Sequence, residues 1–279
     1  MLTSAACGGE DTDTPVLTIG GIPDQDISVL TRRFETVSNY LSEHLDLEVR
    51  YIPSVSYAAL VTAFEQGEVH LGWFGSLTGA QARAAAPGSQ AIVQRSRDAS
   101  FHSVFIAGPG VEADELQDLG GLTFTFGSES SSSGHLMPRY HMVQEGIDPD
   151  ADLSGVPGYS GSHDKTWQLV ETGSYQAGAL SEAVWESAVE NGRVDTSRVR
   201  AFYTTPPYHN YNWTVHAEAN AIFGDGFTTR LQELLISLDP SEQVEGEILD
   251  LFNAESFMET NNDNYRAIED IARDLDIIR

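Results

Sequence analysis

Cysteine and lysine are nearly absent from this 279-residue chain, which holds one of each, Cys7 and Lys165. A single cysteine allows no disulfide within the chain. The 15 basic residues face 42 acidic ones, and the formal net charge of −27 argues against nucleic acid and anionic membranes as partners. No apolar run reaches the roughly 18 residues that a membrane-spanning helix needs.

Motifs of metal, nucleotide and hydrolytic chemistry are also missing. None of the eight histidines lies at a spacing that would place two ligands on one helical face, and no phosphate-binding or dinucleotide glycine loop occurs. We therefore expect neither a metal nor a cofactor. Ser133 with His163 as its base leaves a serine hydrolase as a remote alternative, but Ser133 lacks the nucleophile-elbow motif. We expect no enzymatic activity.

The chain length and the alternation of strand and helix patterns predict an α/β protein of two lobes. Strand and helix signals alternate through residues 16–86 and again through 122–189, which favours two mainly parallel sheets flanked by helices. Apolar strands at 101–107 and 199–204 would cross between the lobes, and 228–279 has a helical pattern. The expected clamshell has residues 16–107 plus 208–279 in lobe 1, 108–207 in lobe 2, a two-strand hinge and a ligand in the cleft.

Residues 1–15 have the pattern of a lipoprotein leader remnant and tether. Cys7 follows small residues, as at a lipoprotein cleavage site, and precedes a polar stretch ending at Pro15. The basic and apolar parts of a signal peptide do not precede it, so the start is truncated or misplaced, or the match is chance. We expect Cys7 to be lipidated and the protein to be extracytoplasmic, periplasmic or at the cell surface.

A run of hydroxyl side chains at 127–134 (Gly-Ser-Glu-Ser-Ser-Ser-Ser-Gly) follows a strand pattern and precedes a helical one. Hydroxyls and the unpaired N–H groups of a first helical turn favour a small oxyanion there. The alternative is a serine-rich surface loop.

Further candidates follow other strands. Tyr57, Trp73 and Phe74 stand at strand-to-helix junctions, where aromatics either wall a pocket or belong to the core, and Gly75-Ser76 opens the next helix. His163 could donate an N–H to an anion while Asp164 caps the following helix; the alternative is a surface capping pair.

Several of these segments together resemble the phosphonate/phosphite-type substrate-binding proteins of ABC importers, and the subset described as selenate-binding is particularly similar. The matching segments are Ile-Pro-Asp at 22–24, 57–64 with Gly67, Trp-Phe-Gly at 73–75, 124–138 and Gly-Ser-His-Asp at 161–164. The resemblance implies a two-lobed periplasmic-binding fold. It also implies ligand contacts at Ser131, Ser132, Ser133, Tyr57 and His163, with a further crossover-strand contact near His102.

The resemblance also bears on the substrate. Aminophosphonate binders place acids where this chain has Leu180-Ser181 and Tyr208-His209, although Glu182 adjoins the first pair. Ser181, Tyr208 and His209 are therefore further candidate ligand contacts. A buried ammonium without a partner is costly, so a compact oxyanion such as phosphite, phosphate or selenate is favoured over an aminoalkylphosphonate. We expect a monomeric substrate-binding component that delivers a phosphite, phosphonate, phosphate or selenate ligand to an ABC permease. The alternative is a ligand-sensing partner of a membrane signalling receptor.

Overall fold

The computed structural model describes residues 15–278, which form two mixed β-sheets flanked by helices. Cys7 and the rest of the predicted leader and tether up to residue 14 lie outside the described residues. The strands are β1 (Leu17–Gly21), β2 (Val49–Tyr51), β3 (Leu71–Phe74), β4 (Gln90–Arg95), β5 (Ser103–Ala107), β6 (Phe124–Phe126), β7 (Gly158–Tyr159), β8 (Ala177–Ser181), β9 (Arg200–Thr204), β10 (Asn212–Val215) and β11 (Phe257–Glu259). The helices are α1 (Ile27–Leu45), α2 (Tyr57–Glu65), α3 (Ser76–Ala85), α4 (Met137–Gln144), α5 (His163–Glu171), α6 (Glu182–Glu190), α7 (Ala219–Phe223), α8 (Phe227–Ile236), α9 (Gln243–Leu251) and α10 (Arg266–Asp274).

The first sheet has the strand order β11-β4-β10-β3-β1-β2, and the second has β7-β6-β8-β5-β9. Parallel pairs join β1 to β2 and β3, and β6 to β7 and β8. The other pairs are antiparallel, so the sheets are mixed rather than mainly parallel. The difference arises because β10 and β11 return from distant parts of the chain. Residues 228–279, expected to be helical, contribute β11 at the sheet edge.

The local sequence explains the helices that frame the site. Leu30, Phe34, Val37 and Leu41 recur at helical spacing on the buried face of α1. Ser56 caps α2, because its hydroxyl accepts the N–H of Ala59 at 3.1 Å.

Two connecting segments, 96–102 and 205–211, join the sheets. They are bonded to each other at Phe101 and Tyr208, whose backbone N–H and C=O groups pair in both directions at 2.9 Å. β5 belongs by its hydrogen bonds to the second sheet, although the sequence division at 107 placed it in the first lobe. The sequence pattern showed where apolar strands lie, but not with which sheet they pair.

Apolar residues of both lobes share the core around the first sheet. The core around the first sheet includes Leu136, Met137 and Ala183, which follow second-sheet strands in the chain, while the second sheet has a separate apolar cluster on each face. Among residues 15–278, no helix is long and apolar enough to cross a membrane.

Candidate functional site

The hydroxyl run forms a widened turn between β6 and α4. Residues 132–136 make a π-helical turn in which the Leu136 N–H reaches the Ser131 carbonyl at 3.0 Å, and the Ser131 hydroxyl accepts the Gly134 N–H at 2.9 Å. Gly134 packs tightly there, since a Cβ would come within 3.0 Å of Gly127 Cα and 3.2 Å of His163 Cε1. The α-helix α4 therefore begins only at Met137, because the turn between the hydroxyl run and the helix is π-helical. The three serines are buried rather than displayed on a surface loop.

Ser132 joins the two lobes. Its hydroxyl oxygen accepts hydrogen bonds from the Leu77 N–H at 2.8 Å and from the Ser76 hydroxyl at 2.9 Å, both in the first turn of α3. A Cβ at Gly75 would lie 3.2 Å from the same oxygen, so glycine admits this approach. With both lone pairs of Ser132 occupied, its O–H remains a donor.

His163 begins α5 and presents a single N–H to the hydroxyl cluster. The Ser181 N–H donates to its Nδ1 at 3.3 Å, so Nδ1 is the acceptor and Nε2 carries the proton. Nε2 lies 3.4 Å from Ser133 Oγ and 3.3 Å from Tyr211 Oη. Burial lowers the pKa of His163, which keeps the imidazole neutral. A protonated Nε2 cannot accept the Ser133 proton, so this pair is not arranged as nucleophile and base.

Tyr57, from the other lobe, supplies a hydroxyl without a hydrogen-bond partner among the described residues. The side chain is 2% exposed, and its Oη lies beside the Ser131 hydroxyl. Burial raises the pKa of Tyr57 well above its usual value, so the group stays a protonated donor. A buried donor with nothing to bond to is costly and indicates a place for an acceptor.

Tyr208 and Tyr211 close the cluster from the second connecting segment. The Tyr208 hydroxyl lies 2.8 Å from Ser103 Oγ and also beside Ser133, and burial raises its pKa. The Tyr211 hydroxyl donates to Asp24 Oδ2 at 2.9 Å, and burial again raises the pKa. Trp73 stacks on Tyr211 with ring centroids 5.6 Å apart.

Two other candidates, Ser181 and Asp164, make hydrogen bonds to neighbouring segments of the protein. Ser181 orients His163 and caps α6, and Asp164 accepts hydrogen bonds from Trp167 Nε1 and the Asp26 N–H. Ser162 rather than Asp164 caps α5, because the Ser162 hydroxyl accepts the Lys165 N–H.

Three candidates point elsewhere. Phe74 packs in the core against Phe64, since successive side chains of β3 point to opposite faces. His102 Nδ1 lies 2.7 Å from the Thr205 carbonyl in the connecting segments, and His209 lies against Tyr265. The structure does not bring these side chains into the cluster.

The sequence places Tyr211 in an aromatic group after Pro207 near the cleft and Asp24 in a polar turn after β1, but it does not single out either as a ligand contact. What the sequence could not show is that residues 187 positions apart form a hydrogen bond.

The available polar groups are nearly all neutral donors. Tyr57 of the first lobe and Ser131, Ser132 and Ser133 of the second offer buried O–H groups, and His163 offers Nε2–H beside them. Within residues 15–278, no lysine or arginine side chain hydrogen-bonds to these five side chains, and no group of His, Cys, Asp and Glu could hold a metal ion. Such an arrangement can surround a small anion with directed dipoles.

Comparison with known families identifies the family to which the chain belongs. The model of the family described as ABC transporter, phosphonate, periplasmic substrate-binding protein matches residues 19–265. The chain belongs to this family. Its members are the extracytoplasmic substrate-binding components of ABC importers and are not enzymes, which confirms the resemblance and the main functional prediction.

Individual relatives support the assignment. The chain is 42% identical over 270 residues to the probable ABC transporter phosphite binding protein PhnD1 of Prochlorococcus marinus strain MIT 9301, covering 95% of this chain and 91% of that protein. It is 23% identical over 225 residues to the phosphate-import protein PhnD of Mycolicibacterium smegmatis, covering 72% and 69%.

A solved structure confirms the fold. The structure of Prochlorococcus marinus PhnD1 in complex with methylphosphonate matches with a TM-score of 0.92 and 41% identity, covering 94% of this chain and 99% of that one. The two-lobed periplasmic-binding fold predicted from the sequence is therefore correct.

Proposed function

We propose that this substrate-binding protein captures a compact phosphorus oxyanion, phosphite or methylphosphonate, between Tyr57 of the first lobe and the Ser131–Ser133 turn and His163 of the second. The observation that carries the proposal is the buried Tyr57 hydroxyl, which has no partner among the described residues and faces the hydroxyl turn. The relative named as a phosphite binding protein and the solved methylphosphonate complex support this ligand class.

The burial and charges of the donors support an anion without an ammonium group. Every member of the cluster is at least 91% buried, so a bound anion would be held by protein donors in place of water. The two positions at which aminophosphonate binders have acids hold Ser181, which caps α6, and Tyr208, which bonds to Ser103. Neither provides a charge for an ammonium group.

Contacts between the lobes support capture by closure. Ser132 makes one such contact. In two others, the His163 backbone N–H donates to the Asp24 backbone carbonyl at 2.9 Å, and Asp164 Oδ2 accepts the Asp26 backbone N–H at 3.0 Å. A ligand that contacts both lobes stabilises this closed arrangement over an open one.

Isothermal titration calorimetry with phosphite, methylphosphonate, phosphate, selenate and 2-aminoethylphosphonate tests the ligand class. The proposal expects the tightest binding for phosphite or methylphosphonate. Tightest binding for the amine would refute the ligand assignment. Unchanged affinity for phosphite and methylphosphonate in both Ser133→Ala and Tyr57→Phe would refute the site assignment.

We further propose that a monomer, anchored through a lipid on Cys7, delivers the ligand to its permease. Metabolic labelling with a radioactive fatty acid, compared with a Cys7→Ala variant, tests the anchor. Label that persists in the variant would contradict it. Sedimentation equilibrium tests the monomer, and loss of phosphite uptake on gene deletion tests delivery.

A further inference from the structure

A buried carboxylate lies beside the neutral donors of the site. Asp24 is 1% exposed, and its Oδ2 accepts the Tyr211 hydroxyl at 2.9 Å. The same Tyr211 oxygen lies 3.3 Å from His163 Nε2, so one hydroxyl group separates the carboxylate from the anion-binding imidazole.

The second carboxylate oxygen, Asp24 Oδ1, has no hydrogen-bond donor among the described residues. Its nearest cation is the Arg33 guanidinium, whose Nη1 lies 4.0 Å away, beyond hydrogen-bond distance. Asp24, Trp73, Ser181 and Tyr211 also line an adjoining cavity of about 520 Å³ between the lobes, so the carboxylate lies where cluster and cavity meet. A buried acceptor without a donor is costly, and a bound ligand can supply the missing donor.

A fully ionised oxyanion offers no such donor and brings negative charge toward the carboxylate. An oxyanion that keeps one proton offers a P–O–H group, which can form a short, charge-assisted hydrogen bond. We propose that Asp24 is a specificity-determining residue that selects the singly protonated form of the phosphorus oxyanion by accepting its P–O–H at Oδ1. This inference rests on the proposed function and adds the protonation state of the ligand.

An ammonium group is a poorer occupant of the same position. Arg33 already places a positive charge 4.0 Å from Oδ1, and Arg95 lies over the Tyr211 ring with its Cζ 4.8 Å from the centroid. A second cation at Oδ1 would meet both, whereas a neutral O–H meets no like charge.

The ligand's own ionisation controls binding near neutral pH, because the groups around Asp24 do not titrate there. These groups are Arg33 of α1, Tyr51 of β2, Tyr57 of α2, Arg95 of β4, His163 of α5 and Tyr211 of the connecting segment. Burial raises the pKa of each tyrosine and lowers that of His163, and arginine stays charged at neutral pH. The second ionisation of a phosphoryl group lies near pH 6.

Calorimetric titration of the protein with phosphite and with methylphosphonate from about pH 5.5 to 8.5 tests the inference, since this range spans that ionisation. We expect a dissociation constant that is flat below the ligand's second pKa and rises about tenfold per pH unit above it, with a break that moves between the two ligands. Repeating the titration at high pH in buffers of different ionisation enthalpy should show uptake of about one proton per ligand bound, the proton that P–O–H requires. Sulfate and selenate, which carry no proton in this range, should bind at least about 100-fold more weakly, the upper part of the range expected for losing a charge-assisted hydrogen bond.

Asp24→Asn removes the charge and gives the position an amide that can also donate. In this variant the pH dependence should flatten, proton uptake should fall toward zero, and the discrimination against selenate should shrink. Asp26→Asn is the matched control, since the Asp26 carboxylate is 55% exposed and lies 4.0 Å from Arg193; it should keep the wild-type slope.

A flat pH profile or no proton uptake in the wild type would overturn the inference, even if Asp24→Asn failed to fold. An unchanged slope in a folded Asp24→Asn variant would also overturn it. Failure of all phosphorus oxyanions to bind at any pH would instead refute the proposed function.

Discussion

The Tyr57 hydroxyl gives the sharpest separation between binding and stability. Tyr57→Phe removes one oxygen that has no partner among residues 15–278 and leaves the ring in the core. Because no hydrogen bond within the protein is lost, we expect the ligand-free variant to unfold within about 1 kcal/mol of the wild type. A hydrogen bond to a charged ligand contributes about 1.5–3 kcal/mol, so phosphite should bind about 10- to 150-fold more weakly.

Calorimetry gives the affinity in this experiment, and urea unfolding without ligand gives the stability. Tyr265→Phe is the matched control, because the Tyr265 hydroxyl is buried but bonds to Gln94 at 3.0 Å and to Thr260 at 3.1 Å. It should lose about 0.5–1.5 kcal/mol of stability and keep its affinity. A Tyr57→Phe variant that binds phosphite with unchanged affinity, whatever its stability, would refute the assignment of this hydroxyl to the ligand.

Three further predictions concern closure, the core and pH. Ser132→Ala removes the acceptor of the Leu77 N–H across the cleft, so small-angle scattering should show less compaction on adding phosphite than in the wild type; equal compaction would contradict the bridging role. Asp98→Asn leaves the buried Arg95 guanidinium without its carboxylate, and urea unfolding should show a loss of about 3–5 kcal/mol; a loss under 1 kcal/mol would contradict it. Burial lowers the pKa of His135 to about 4, below its unfolded value of about 6.5, so the unfolded state gains a proton first as pH falls. The free energy of unfolding should therefore fall by about 3 kcal/mol between pH 6.5 and pH 4. His135→Gln should lose this part of the pH dependence, and an identical profile in the variant would contradict the assignment.

The sequence was sufficient for the fold class and for the position of the hydroxyl turn, because both rest on local patterns. Strand-helix alternation predicts an α/β lobe, and a serine run before a helix predicts an anion site wherever the chain places it. The mixed strand pairing was not predictable, since β10 and β11 join the first sheet from the far end of the chain.

The contact between Tyr211 and Asp24 has the same physical explanation. Their hydrogen bond joins a segment that connects the lobes to a turn that follows β1, and no periodicity in the sequence encodes such a contact. Phe74 illustrates the opposite case: its place at a strand end suggested a pocket wall, but strand alternation turns it into the core beside Phe64.

A crystal structure of the protein with methylphosphonate tests directly whether the ligand lies between Tyr57 and the serine turn. We expect one ligand in the closed cleft, with phosphonate oxygens within hydrogen-bond distance of Tyr57 Oη on one lobe and of Ser133 Oγ and His163 Nε2 on the other. A ligand bound only in the adjoining cavity lined by Arg33 and Arg193, without contact to Tyr57 or the serine turn, would contradict it.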